Sequence, residues 1–177
     1  MLQQNRTRQI TLAGLFAALV FVATYLIRIP TPLGYIHIGD GFIVAAGAFL
    51  GGPIGALAAG VGSMLADLIG FAAYAPGTFV IKGLMGLVAG LLLARRVFTW
   101  PRTILTAVLC ELIMLAGYFV YEAFVLGYGV AAAAGALLFN AVQGGAGVVV
   151  GVLFLRVLAR YRDVAGGKAP GVPREKE

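Results

Sequence analysis

One cysteine, one histidine and charges on only 11% of 177 residues leave few groups with which to do chemistry. The single Cys110 excludes an internal disulfide and a multi-cysteine metal site, and its mid-helix position fits packing. With His37 alone there is no H-E-x-x-H and no Ser/His pairing on facing helices, which speaks against an intramembrane enzyme; no metal site and no cofactor are expected. A soluble domain would carry charge on about a quarter of its residues. At 61% hydrophobic, this chain has more apolar sequence than one soluble core can bury. Lipid is the expected solvent, and no separate soluble domain is expected. The polar, basic stretch Met1 to Gln9 is not followed by a short apolar run with a small-residue cleavage site, so no cleaved signal peptide is expected. The net charge of +6 does not read as a nucleic-acid surface, because the basic residues gather at helix ends.

Long apolar runs are what the chain does have. About 20 apolar residues cross a bilayer. Runs of that kind cover Ile10 to Ile27, Gly41 to Leu50 (short for a span), Ile54 to about Phe71, Thr78 to Ala94, about Thr103 to Leu126, and Val130 to about Leu158. Gly51-Gly52-Pro53 ends the second, since proline cannot continue a helix without losing a hydrogen bond. The segments between are 28–39, with two prolines, a loop from Ala72 to Gly77, and a tight turn from Gly127 to Gly129. The expected fold is all-α: a polytopic six-transmembrane-helix bundle over residues 1–162. A Gly/Pro/charge-rich tail, 163–177, is expected to be disordered.

Six spans place both termini on one side. Arg6, Arg8, Arg95, Arg96, Arg102, Arg156, Arg160 and Arg162 fall on that side and only Arg28 opposite, so both ends are expected in the cytoplasm of a plasma-membrane protein. Trp100 then reads as an interfacial anchor in a cytoplasmic loop. Lipid gives helices no hydrophobic reason to associate, so small residues must permit close approach. Gly52, Gly55, Ala59 and Gly60 do so on the third run, and Asn140, Gly144, Gly147 and Gly151 form a stripe on the sixth. On the first, Ala13 and Ala17 are the best candidate for a surface that docks another membrane protein.

Against this background Asp67, Lys82, Glu111, Glu122 and Asn140 stand out, because polar groups at membrane depth are costly unless they face protein, water or a ligand. The motifs PTPLGYIHIGD (30–40), FLGGPIGALAAGVGSMLADLIG (49–70), YAPGTFVIKGLMGLVAG (74–90) and NAVQG (140–144) resemble the substrate-binding (S) components of energy-coupling factor (ECF) transporters. The likeness is greatest to the riboflavin-type or unassigned-specificity branch and covers residues 8 to about 160. The resemblance implies capture of a water-soluble vitamin or precursor at the outer face, followed by association with a transmembrane coupling subunit and two cytoplasmic ATPases. ATP hydrolysis would then topple the binding subunit in the membrane. The Ala13/Ala17 pair matches the family's docking feature. The chain itself carries no G-x-x-x-x-G-K-[ST], so it is a transporter subunit rather than an enzyme.

The candidate substrate contacts are Tyr35, His37, Tyr74, Lys82, Tyr118, Glu122, Asn140 and Gln143. Asn140 and Gln143 are three apart and offer amide donors and acceptors to a heterocycle edge, in a region where the resemblance implies ligand contacts. Tyr35 and Tyr74, in outward loops, can stack on a flat ring, and the 28–39 loop suits a lid. Lys82 either contacts the ligand or pairs with Asp67. Glu122 either lines the pocket or is solvated near the interface. Glu111 is expected too deep for the ligand, bonded to a neighbouring helix or facing the coupling subunit. Asp40 is expected to cap the second helix. The residues suit riboflavin, a pyridoxine-like compound, hydroxymethylpyrimidine or pantothenate about equally. A stand-alone transporter or channel, and an intramembrane enzyme, remain as alternative readings.

Overall fold

The computed structural model describes residues 2–94 and 99–165, with side chains for 6–94 and 99–160. Among these residues six helices follow in order: α1 (Leu2–Leu26), α2 (Gly39–Leu50), α3 (Gly52–Leu68), α4 (Ala75–Leu93), α5 (Trp100–Val120) and α6 (Val130–Ala165). A hairpin of β1 (Ile29–Thr31) and β2 (Gly34–Ile36) joins α1 to α2, and a π-helical turn, Tyr121–Val125, extends α5. The expected irregular loop at 28–39 is thus a paired hairpin. Pro30 pairs with Tyr35 across it, and the Thr31 hydroxyl accepts the Gly34 N–H at 3.1 Å, which fixes the tip.

Among the described residues four helical stretches are long and apolar enough to cross a membrane: Arg6–Leu26, Ala75–Leu93, Trp100–Val125 and Val130–Arg160. The twelve-residue α2 extends only about 18 Å at 1.5 Å per residue, less than the ~30 Å hydrocarbon core. It is the central element: Ile43 to Gly47 are buried, and it packs on α1, α3, α4 and α6. Gly51 at φ 85° makes the sharp reversal into α3, a left-handed conformation that costs glycine little.

Small residues set the spacing. Gly47 abuts Gly86 and Gly90, Gly90 meets the backbone of Gly51 and Gly52, and Gly41 meets Gly151. Such contacts let backbones touch where no side chain fits. On α6, Gly144 and Gly147 of the stripe read from the sequence lie against the Glu111 side chain. Cys110 is buried and its thiol donates to the Met85 carbonyl at 3.4 Å, a packing role. Leu57, Val80, Leu105, Leu138 and Val157 point outward, as lipid-facing side chains do.

Element ends differ from expectation. α3 stops at Leu68 rather than Phe71, and α4 starts at Ala75, because Pro76 sits in its first turn, where a missing N–H costs nothing. Trp100 opens α5 rather than lying in a loop, and the Arg156 guanidinium stacks 4.2 Å above its ring. α6 runs to Ala165, beyond the expected Leu158 and into the segment expected to be disordered; 166–177, with Arg95 and Arg96, lie outside the described residues. Ala13 and Ala17 are half-buried, and the Ala17 carbonyl faces Gly62 of α3. Gly14 and Ala18 form the exposed side of the same helix.

Candidate functional site

The hairpin folds over one end of the bundle and roofs a polar chamber. Its walls come from segments far apart in sequence, α2 excepted: Thr24 of α1, Leu33, Tyr35 and His37 of the hairpin region, Ser63 and Asp67 of α3, Phe71 and Tyr74 of the next loop, Thr78 of α4, Tyr118 of α5, Glu122 of the π-helical turn, and Phe139, Asn140 and Gln143 of α6. The chamber is narrow, with about 50 Å³ open to the centre of a water molecule. An apolar cleft of about 380 Å³ adjoins it between the hairpin and α6 and shares Leu33, Ala136 and Phe139.

Two latches hold the roof. Arg28 donates from Nη1 to the Ile69 carbonyl at 2.9 Å and from Nη2 to the Ala66 carbonyl, which also accepts the Ile69 N–H at 3.2 Å, and so closes the end of α3. Its guanidinium lies 4.7 and 4.3 Å from the ring centroids of Tyr25 and Tyr35. Tyr35 in turn donates its hydroxyl to Asp67. Burial, and then the Asp67 charge, raise the Tyr35 phenol well above its ordinary pKa, so it stays a donor. On the other side Tyr74 donates to the Leu33 carbonyl at 2.6 Å.

Behind Gln143 of the chamber wall lies an ion pair. Lys82 Nζ lies 2.5 Å from Asp40 Oδ1, with both side chains fully buried. Gln143 Nε2 donates to the other Asp40 oxygen at 2.7 Å, and Gln143 Oε1 accepts the His37 N–H at 3.2 Å. The Tyr118 ring lies 5.3 Å from the Lys82 ammonium. This corrects two expectations. Lys82 pairs with Asp40, not Asp67, because α2 packs on α4 and Asp67 is engaged by Tyr35. Asp40 is not a cap: Ile38 holds that position with no side-chain hydrogen bond, and Asp40 sits in the first turn facing inward.

His37 Nδ1 accepts the Gly39 N–H at 3.0 Å, so the neutral ring carries its proton on Nε2. Burial pushes the imidazole down to about 4, against a smaller opposing pull from Asp40. An unfolded imidazole takes up a proton below about pH 6.5 and the buried one only near pH 4, so the unfolded state binds more protons between those values. Stability should therefore fall as pH drops from 6.5 to 4, by about 3 kcal/mol in total, and hold level above that window. Unfolding curves across this range should flatten for His37→Phe; an equal slope in both proteins would assign the acid sensitivity elsewhere.

Seven of the eight expected contacts line the chamber; Lys82 does not. Glu122 is buried, at 4% exposure, rather than solvated. It is aimed inward by the π-helical turn, a local widening that often marks functional sites. Glu111 has no hydrogen-bond partner on either carboxyl oxygen, so the expected bond to a neighbouring helix is not made. Thr24, Ser63 and Thr78 were not anticipated. The i, i+4 pair of Ser63 with Asp67, and of Thr78 with Lys82, is the signal that marks two of them.

Together these features define a bundle of apolar helices with a polar chamber at one end. Residues 4–160 match the family model described as ECF-type riboflavin transporter, S component, and the chain belongs to that family. Its members are the substrate-binding components of vitamin transporters, not enzymes. An uncharacterized protein in the gap 3' region of Pyrococcus woesei is 38% identical over 134 residues, covering 75% of this chain and 88% of that protein. The crystal structure of FolT bound with folic acid superposes with a TM-score of 0.67 at 22% identity, covering 88% of this chain and 94% of FolT, a likeness of fold.

Proposed function

We propose that this chain is the substrate-capture subunit of an ECF-type importer that takes up a water-soluble vitamin or vitamin precursor. The observation that supports it best is the chamber itself, which gathers Tyr35, His37, Tyr74, Tyr118, Glu122, Asn140 and Gln143 from segments far apart in sequence. In this reading residues 1–162 form one substrate-binding unit of six spans in the plasma membrane, with α2 and α3 the two short ones and both termini cytoplasmic. The hairpin is the outward lid. Small-molecule sites usually measure about 300–1,000 Å³. The closed chamber is below that range, but it reaches it if the hairpin parts from α6 and the chamber merges with the adjoining apolar cleft. Tyr35 and Tyr74 offer ring faces to a flat heterocycle, and Asn140 offers an amide to its edge.

The partners in this reading are one transmembrane coupling subunit and two ATPase subunits, which drive toppling. Ala13 and Ala17, with the exposed Gly14 and Ala18 beside them, supply a smooth docking face. Replacing Ala13 and Ala17 by tryptophan should abolish ATP-driven uptake in vesicles containing the ECF module. Vitamin binding by the isolated subunit should stay within about threefold of the wild type. Equal loss of binding would make this stripe internal packing against α3, and uptake without any ATPase partner would favour a stand-alone carrier.

A further inference from the structure

Three buried polar atoms lining the chamber have no hydrogen-bond partner: Thr24 Oγ1, Ser63 Oγ and Glu122 Oε2. The other Glu122 oxygen is hardly better served. Tyr74 has one hydroxyl proton, and it points to the Leu33 carbonyl at 2.6 Å, whereas Glu122 Oε1 lies 3.4 Å away. A buried carboxyl group with one oxygen unpartnered and the other at the long limit of a hydrogen bond is expensive, and a ligand that brings donors recovers that cost.

The charges around the chamber point the same way. Two carboxyl side chains, Asp67 and Glu122, line it, and among the described residues no lysine or arginine does. The two nearest cations are committed elsewhere. Arg28 donates to the Ile69 and Ala66 carbonyls, and Lys82, which does not line the chamber, is paired with Asp40. An anion placed here would face two carboxyl groups with no cation on the chamber wall to pair with it, and like charges across an interface are strongly disfavoured.

We propose that the chamber selects an uncharged or cationic ligand bearing hydrogen-bond donors, that Glu122 is the residue that receives those donors, and that Ser63 and Thr24 complete the polar wall. The proposal rests on the vitamin-capture reading and narrows it. Of the candidate ligands, pantothenate, a carboxylate, is excluded, as are phosphate esters of any of them.

The test uses the full chain in nanodiscs and equilibrium binding of riboflavin, hydroxymethylpyrimidine and pyridoxine, each beside its own phosphate monoester, with pantothenate as a further anion. At least one parent vitamin should bind, and its ester should bind about 100-fold more weakly. Glu122→Gln should weaken the parent by about 10- to 100-fold and narrow the gap to the ester. Thermal unfolding of the variant serves as the folding control. If that variant does not fold, the parent-to-ester ratio of the wild type decides. An ester or pantothenate bound within about threefold of the best parent vitamin would overturn charge selection while leaving vitamin capture in place. Parent binding unaffected by Glu122→Gln would remove Glu122 as the reader. No binding of any probe would remove the capture reading, and this proposal with it.

Discussion

Lys82→Met should cost the folded protein about 3–5 kcal/mol, the largest loss expected from any single polar side chain here, because it strands a buried carboxylate. Asp40 has no exposed surface, and without the ammonium only the Gln143 amide remains to it. The double variant Asp40→Asn, Lys82→Met should recover most of the loss, since a neutral amide in the same place can keep its bond to Gln143 and no charge is left unpaired. Equilibrium unfolding in mild detergent across the full double-mutant cycle measures this directly. If Lys82→Met left stability within about 1 kcal/mol and instead abolished vitamin binding, the lysine would be a ligand contact and not a structural partner of Asp40.

The second large effect is steric. Gly90→Leu should cost about 3 kcal/mol or more, or leave no folded protein, because overpacking is worst where neither side can yield. A β-carbon on Gly90 would fall on the backbone of Gly51 and Gly52, and that backbone is pinned by the reversal at Gly51 and by the start of α3. Gly14→Leu is the matched control: no neighbouring atom lies near its missing side chain, and stability should stay within about 0.5 kcal/mol. Equal tolerance of leucine at both positions would show that the α2–α3–α4 seam is looser than its close backbone contacts indicate.

Much of this molecule was legible in its sequence because lipid leaves the chain few choices. Apolar runs must be helices where every backbone group is satisfied internally, so each helix could be placed to within a few residues at most ends. Boundaries failed where local side chains decide them: Pro76 lets α4 begin a turn early, and Arg28 caps carbonyls at the end of α3 from 38 residues away or more. The hairpin was hidden because two prolines read as irregular loop, while only Pro30 lies in a strand and the pairing is three residues long.

The site was legible as a set of residue types and much less as a set of pairings. Asn140, Gln143, Tyr118 and Glu122 were found because polar groups at membrane depth need a reason. Which partner Lys82 takes depends on the packing of α2 against α4, set by Gly47, Gly86 and Gly90 rather than by any property of the lysine. Ser63 and Thr24 went unnoticed because a single hydroxyl in an apolar helix is ordinary; only their lack of partners and their place on the chamber wall mark them out.

Mass spectrometry of the small molecules that co-purify with the detergent-solubilised protein tests substrate capture most directly. A vitamin or precursor should be released on denaturation in stoichiometric amount, uncharged or cationic, and its yield should fall in Glu122→Gln. An empty protein that also fails to be stabilised by any vitamin in a thermal-shift screen would contradict the account, leaving the fold in place and the chamber without its proposed use.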